Sequence, residues 1–278
     1  MTFLPQSLFV VVLVDMEFIN AIVLGVVEGL TEFLPISSTG HLIIVNQWFS
    51  FDGGFTKVFD IVIQLGAILA IVFLYWRRIS PFGKGWVERR EIFELWKKSI
   101  VAVIPALFFG FLFAKVIEQK LFNPQVVAIT LIVGGIIIVL VEKFFSKKTE
   151  AGSGVENLSL KQAFIVGLIQ CLAMIPGTSR SGATIIGAML LGVPRKTATE
   201  FSFFLAIPTM FAASGYSLLK VGTSFSVHEI LILLLGFVVS FLTALYVVKK
   251  FVKFIENNSF TDFGFYRIIL GVIILFLL

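Results

Sequence analysis

The sequence predicts an all-α integral membrane protein: a polytopic helical bundle of about six full spans plus two re-entrant helical hairpins, arranged as two inverted repeats. Three observations carry this. Apolar residues fill 58% of the 278 positions and charged residues 14%, with mean hydropathy +1.02, whereas soluble domains carry about 25% charged residues. Apolar runs near the ~20 residues needed to cross a bilayer recur along the chain. Two other apolar stretches are each broken by a proline and a Gly/Ser/Thr-rich turn, and both hold ionisable groups.

Residues 1–15 hold one short apolar run, Leu8 to Val14, too short to span. They are read as an N-terminal extension, either an interfacial piece or the product of a start upstream of Met16, and the absence of a basic leading region argues against a signal peptide. The transmembrane domain then covers 16–278. Repeat one, 16–142, opens with Phe18 to Leu34, an apolar stretch that contains Glu28 and Glu32 and stops at Pro35, where a mid-helix proline would lose a hydrogen bond and clash with the preceding turn. After the polar turn Ser37 to Gly40 comes a second short piece, His41 to Phe49. Neither piece spans alone; together they suit a hairpin that dips into the membrane, tolerated where protein or water covers its backbone.

Lys57 to Trp76 reads as a full span closed by Arg77 and Arg78, and 77–98 as a basic loop. Ser99 to Ile117 and Gln125 to Val141 are further spans. A linker over 143–160 carries Lys143, Lys147, Lys148 and the flexible Gly152-Ser153-Gly154. Repeat two, 161–278, opens with a second broken hairpin: Lys161 to Met174, a turn at Pro176, then Gly182 to Gly192. Spans follow over Thr197–Leu219, His228–Val248 and Thr261–Leu278. Pro105 and Pro208 read as ordinary membrane-helix kinks.

The two halves are alike in detail. Ala21 to Leu30 (AIVLGVVEGL) aligns with Ala163 to Leu172 (AFIVGLIQCL), and each continues to a proline and a hydroxyl-rich turn. Glu28 becomes Gln170 and Glu32 becomes Met174, so carboxylates belong to the first half and Arg180 to the second. Placing both termini outside puts 16 of the 22 Lys and Arg on the inner side, as the positive-inside rule asks. The halves are then inverted, an arrangement that builds a site near the midplane where broken helices meet.

The chemistry lies at the breaks. An arginine in hydrocarbon costs about 2.5–3.5 kcal/mol on insertion scales, so Arg180 needs a partner: Glu28, Glu32 or a bound anion. Hydroxyls of Ser37, Ser38, Thr39, Thr178, Ser179, Ser181 and Thr184, backbone freed at Gly40, Gly177 and Gly182, and short-helix N-termini together suit phosphate. Glu28 and Glu32, four apart and on one helical face, would repel it unless Mg²⁺ or Ca²⁺ lies between or one carboxyl is protonated. Ser38 reads as a nucleophile activated by His41, with Glu32 as a further acid or base.

Plainer readings stand beside these. Glu28 and Glu32 also suit a buried structural pair, Ser37 and Ser38 suit helix caps, and Arg180 suits a structural ion pair. Gln64 reads as helix–helix glue and His228, beside Glu229, as interfacial. The net charge of +5 comes from basic residues scattered in short loops and is not a nucleic-acid signal. Cys171 is single and has no internal partner, and no zinc-ligand spacing occurs.

The two motifs, GVVEGLTEFLPISSTGH from Gly25 to His41 and PGTSRSGAT from Pro176 to Thr184, closely resemble those of the undecaprenyl-diphosphate phosphatases of the bacitracin-resistance type. The likeness runs from Met16 to the end. It implies a bacterial plasma-membrane enzyme, its site facing outward. Such an enzyme hydrolyses undecaprenyl diphosphate to undecaprenyl phosphate and inorganic phosphate, recycling the carrier lipid for peptidoglycan synthesis and conferring bacitracin resistance. It also implies divalent-metal dependence. The acidic motif maps onto Glu28 and Glu32, the serine–histidine segment onto Ser37, Ser38 and His41, and the phosphate motif onto Ser179, Arg180 and Thr184, without departure. Between Ser38 and His41 as nucleophile the resemblance does not choose. The partners implied are the polyprenyl substrate and membrane lipids; oligomeric state stays open, a homodimer included. The competing class is a lipid-phosphate flippase, since inverted repeats are a transporter architecture. A third class, the other membrane lipid-phosphate phosphatase superfamily, needs a histidine after the Ser-Arg pair that Ser179-Arg180 lacks.

Overall fold

In the computed structural model, residues 6–51, 54–145, 154–220 and 225–277 are described, and among them every regular element is helical. Residues 1–5 of the expected extension and 146–153 of the expected linker, including Lys147, Lys148, Gly152 and Ser153, lie outside the described residues. The first broken pair is α1 (Gln6–Thr31) and α2 (Ser38–Val45). Then come α3 (Phe55–Leu74), the single turn α4 (Trp76–Ile79), α5 (Trp86–Leu121) and α6 (Pro124–Phe145). The second broken pair is α7 (Leu160–Gln170), prolonged by a 3₁₀ turn over Cys171–Met174, and α8 (Arg180–Leu190). The chain ends with α9 (Arg195–Lys220), α10 (Val227–Asn257) and α11 (Thr261–Leu277).

Among the described residues five helices are long and apolar enough to cross a membrane: α3, α5, α6, α9 and α10. The sixth expected span, α11, has 17 residues, about 26 Å of helix against ~30 Å of hydrocarbon. A second difference lies in the expected basic loop over 77–98. From Trp86 it is helix continuous with α5, started by the Glu88 side chain accepting from the Gly85 backbone N–H at 3.1 Å. The reason is amphipathicity: Trp86, Val87 and Phe93 stand exposed beside Arg89, Arg90 and Lys97, a composition suited to a membrane interface.

Packing follows small residues. α1 lies along α10 and α7 along α5; α3 also packs on α10 and α9 on α5, while α6 pairs with α11. Gly25 and Gly29 let α1 approach closely: a Cβ at Gly25 would stand 2.8 Å from the Gly236 carbonyl oxygen, and one at Gly29 2.7 Å from that of Ser240. Without a hydrophobic drive between helices in lipid, such small-residue contact is what binds them. In the other half, Gly167 of α7 meets the Ala102 backbone of α5 in the same way. A buried, two-bonded ion pair, Glu142 with Arg195 at 2.9 and 2.6 Å, ties α6 to α9, and Glu142 also accepts from the Phe260 N–H at 2.9 Å just before α11. These contacts bring the two helix breaks together in the interior.

Candidate active site

Each break ends in a serine with left-handed backbone. Ser37 has φ 73° and Ser179 φ 72°, and they are the two positive-φ residues other than glycine among the described residues. A side chain there is strained by about 1–3 kcal/mol and is held by its surroundings. Both serines cap the helix that follows. Ser37 Oγ accepts from the Gly40 N–H at 3.2 Å and Ser179 Oγ from that of Gly182 at 3.0 Å. The capping role read for Ser37 is therefore observed, and it recurs at Ser179.

A cavity of about 220 Å³ lies between the breaks. Glu32, Ser37, Ser38 and Thr39 line it from the first; Gly177, Ser179 and Arg180 line it from the second. Thr209 and Met210 of α9 close one side, and Gln64 of α3 another. Gln64 is thus a wall residue of this cavity rather than only helix–helix glue. The starting residues of α2 and α8 both face the cavity, so the positive ends of two helix dipoles converge on it.

Glu32 is the centre of the polar network. One carboxylate oxygen, Oε2, accepts a short hydrogen bond from Ser38 Oγ. The other, Oε1, accepts from Arg180 Nη2 at 3.0 Å. Arg180 Nη1 donates to the Ser202 carbonyl at 3.1 Å, and its guanidinium lies 5.7 Å from the centroid of the Phe33 ring. Its Nε is buried without a protein partner, a donor left over for a ligand oxygen. Removing either member of a buried pair leaves the other without its partner, so Glu32 and Arg180 depend on each other in this interior.

The remaining predicted residues fall into two groups. Ser181 and Thr184 are fully buried behind the cavity. Ser181 Oγ donates to the Leu34 carbonyl at 2.8 Å and also meets Ser179 Oγ at 3.0 Å, while Thr184 Oγ1 meets Ser202 Oγ at 2.7 Å. They brace the wall from behind. Thr178 contributes its backbone carbonyl to Arg267. Gly177, with φ 87°, is required as glycine: a Cβ would run into Thr130 and the Val127 backbone.

His41 is not brought to Ser38. Its Nδ1–H donates to the Ser37 carbonyl at 2.7 Å, leaving Nε2 to accept from the Tyr266 hydroxyl at 2.7 Å, with the two rings parallel at 5.6 Å. The pairing expected from sequence, Ser38 with His41, is replaced by Ser38 with Glu32. The i−4 carbonyl captures the imidazole and turns it towards α11.

Glu28 is fully buried, and neither of its carboxyl oxygens has a partner. Its charged neighbours are Glu32, Asp60 and Arg180. Among the described residues no group of three or more His, Cys, Asp or Glu could hold a metal. Carboxylate oxygens are the donors a hard cation takes, but Glu28 is not among the residues that line the cavity and both Glu32 oxygens are already engaged by Ser38 and Arg180.

Two α11 residues that the motifs do not contain also support the breaks: Tyr266 against His41, and Arg267, whose guanidinium reaches both turns. The sequence signal for the second is an arginine inside an otherwise apolar final span.

Comparison with known proteins gives the chain a family. A family model described as bacitracin resistance protein BacA matches residues 21–273. The undecaprenyl-diphosphatase of Desulfitobacterium hafniense (strain DSM 10664 / DCB-2) is 47% identical over 264 residues, 93% of this chain and 95% of that protein. Undecaprenyl-diphosphatase 1 of Clostridioides difficile (strain 630) is 47% identical, with 94% and 96% covered, and the undecaprenyl-diphosphatase of Bordetella avium (strain 197N) is 44% identical, with 92% and 95% covered. The match spans both helix breaks and the cavity between them, and the chain belongs to the bacitracin-resistance BacA family.

Proposed function

We propose that this chain hydrolyses undecaprenyl diphosphate to undecaprenyl phosphate and inorganic phosphate, recycling the lipid carrier for peptidoglycan synthesis and conferring bacitracin resistance. The observation that carries the site assignment is Glu32 bridging Ser38 and Arg180 on one cavity. A phosphatase needs a nucleophile, a base to take its proton and a cation to hold the phosphoryl oxygens; these three side chains supply them in contact.

Ser38 Oγ attacks the terminal phosphorus while its proton passes to Glu32 Oε2. The Oγ–P bond forms, the bond to the bridging oxygen breaks, and undecaprenyl phosphate leaves with that electron pair. Water then attacks the phosphorylated Ser38, the Oγ–P bond breaks, and Glu32 returns its proton to Oγ as phosphate departs. Arg180 Nε and the first N–H groups of α2 and α8 hold the phosphoryl oxygens. His41 keeps the Ser37 turn in place through its two ring nitrogens. A divalent cation, Mg²⁺ or Ca²⁺, would be held by Glu28 and Glu32 and would neutralise diphosphate charge.

The fold reading behind this is two inverted repeats opened by re-entrant hairpins, in a bacterial plasma membrane, with the site facing outward and both termini outside. Supporting it are the paired serine caps and the matching contacts, α1 on α10 as α7 on α5, and α3 on α10 as α9 on α5.

The test is phosphate release from undecaprenyl diphosphate by purified protein in detergent, with Mg²⁺, Ca²⁺ or a chelator, for the parent, Ser38→Ala and Glu32→Ala. Metal-dependent release lost in both variants is the expected result. Unchanged release in Ser38→Ala would remove Ser38 as nucleophile. No release at all from folded, lipid-binding parent would favour a lipid-phosphate carrier.

A further inference from the structure

Arg267 of α11 is 1% exposed, and none of the ion pairs among the described residues includes it. Its five N–H donors all end on backbone carbonyls. Nη1 donates to Pro35 O at 3.1 Å and Thr178 O at 3.0 Å; Nη2 donates to Gly177 O at 2.9 Å and Thr130 O at 3.1 Å; Nε reaches Leu131 O at 3.4 Å. One side chain therefore holds the first break, the second break and α6. We infer that Arg267 is a positioning residue that locks the two catalytic turns into register, so that Ser38 and Arg180 meet a phosphoryl group as one rigid surface. The inference rests on the site assignment proposed above.

Three features argue for it. Helix breaks leave carbonyls without helical partners, and inside a membrane protein each needs a donor; a planar fork with five donors can serve several at fixed angles, which a lysine cannot. The clamped carbonyls of the breaks lie three residues before Ser38 and two and three before Arg180, and both intervening turns carry a left-handed serine. Strained backbone persists only where its surroundings over-determine it, and Arg267 contacts the backbone of both turns. The peptide between Thr178 and Ser179 is trans, so the carbonyl held by Arg267 turns the Ser179 N–H to the opposite side. Finally, α6 makes room for the guanidinium: a Cβ on Gly134 would collide with Arg267 Nη2.

The experiment uses Arg267→Lys and, independently, Gly134→Ala, which keeps the arginine and its charge but displaces the fork. For each, kcat per folded molecule, KM for undecaprenyl diphosphate and inhibition by orthovanadate are measured, with Ser38→Ala in parallel. The expected result is kcat lower by about 100-fold, as misplacement near 1 Å causes, with KM within about threefold and vanadate inhibition weakened in step with kcat. A merely structural arginine would lower the yield of folded protein and leave kcat per folded molecule and vanadate inhibition unchanged, and that result overturns the proposal. If Arg267→Lys does not fold, Gly134→Ala alone decides between these outcomes. An inactive Ser38→Ala beside fully active Arg267→Lys and Gly134→Ala would reject the clamp and leave the site assignment standing; an active Ser38→Ala would reject the site assignment.

Discussion

Glu32 and Arg180 lie 148 residues apart in sequence and 3.0 Å apart in space, and the same Glu32 carboxylate accepts from Ser38 on its other oxygen. This pair joins the two halves of the chain at the cavity between them. Arg180 occupies Oε1, so on the proposed mechanism Oε2, which already accepts from Ser38, is the oxygen that takes the serine proton.

Glu32→Gln keeps the size of the side chain and its capacity to accept from one neighbour, but removes the basic oxygen. Its kcat is expected to fall by about 10²- to 10⁴-fold, the usual worth of a general base, with the purified protein still folded. A single-turnover assay with labelled substrate checks this; activity within tenfold of the parent would count against Glu32 as base.

Arg180→Ala strips the counter-charge from Glu32 in a site where both side chains are nearly buried. Breaking a buried pair in this way costs about 3–5 kcal/mol. The expected outcome is loss of activity together with a lower melting temperature in detergent. Arg180→Lys should recover part of the stability but little activity, since a compact ammonium lacks the planar fork that reaches Glu32, the Ser202 carbonyl and a phosphoryl oxygen in different directions. Thermal denaturation and phosphate release on the same preparations separate the two effects.

Tyr266→Phe removes the hydroxyl that donates to His41 Nε2 and leaves the stacked rings. A neutral hydrogen bond is worth about 0.5–1.5 kcal/mol, so kcat should change by less than about tenfold. His41→Gln should likewise be milder than Ser38→Ala by at least about tenfold, because on the proposed mechanism His41 positions the Ser37 turn and Glu32 takes the serine proton. Equal loss in His41→Gln and Ser38→Ala would return the imidazole to the chemical step.

Glu28→Gln tests the cation reading. Glu28 is fully buried and Gln keeps its volume, so the variant should fold. If Glu28 holds the ion, the variant needs a higher Mg²⁺ or Ca²⁺ concentration for half-maximal activity, and chelation stops the parent reversibly. An unshifted metal titration would take Glu28 out of the metal set.

Gly29→Val places a branched side chain where a Cβ would already stand 2.7 Å from the Ser240 carbonyl oxygen. Overpacking of this kind costs about 1–3 kcal/mol, and separating α1 from α10 should loosen the first break. Lower thermal stability than in Leu30→Val, at an exposed position of the same helix, is the expected contrast.

Much of this was legible in the sequence. The membrane class, the two broken segments and the confinement of carboxylates to one half and arginine to the other all follow from local facts: composition, proline at Pro35 and Pro176, and ionisable groups in apolar runs. Glu32 and Arg180 stood out because each is costly where it stands unless something uses it, and Ser38 by its place in the polar turn after Pro35. What sequence could not give was partnership. Ser38 and His41 are three apart on a helix and so share a face, yet a backbone carbonyl and Tyr266, 225 positions away, hold the imidazole elsewhere. Arg267 looked like one more charge in the last span, and only the tertiary structure brings Pro35, Gly177 and Thr178 around it. Periodicity and cost are local properties of a chain. Which acceptor a buried donor finds depends on how helices separated by a hundred residues or more pack, and that packing brought Arg180 to the Glu32 that Ser38, six residues on, already meets.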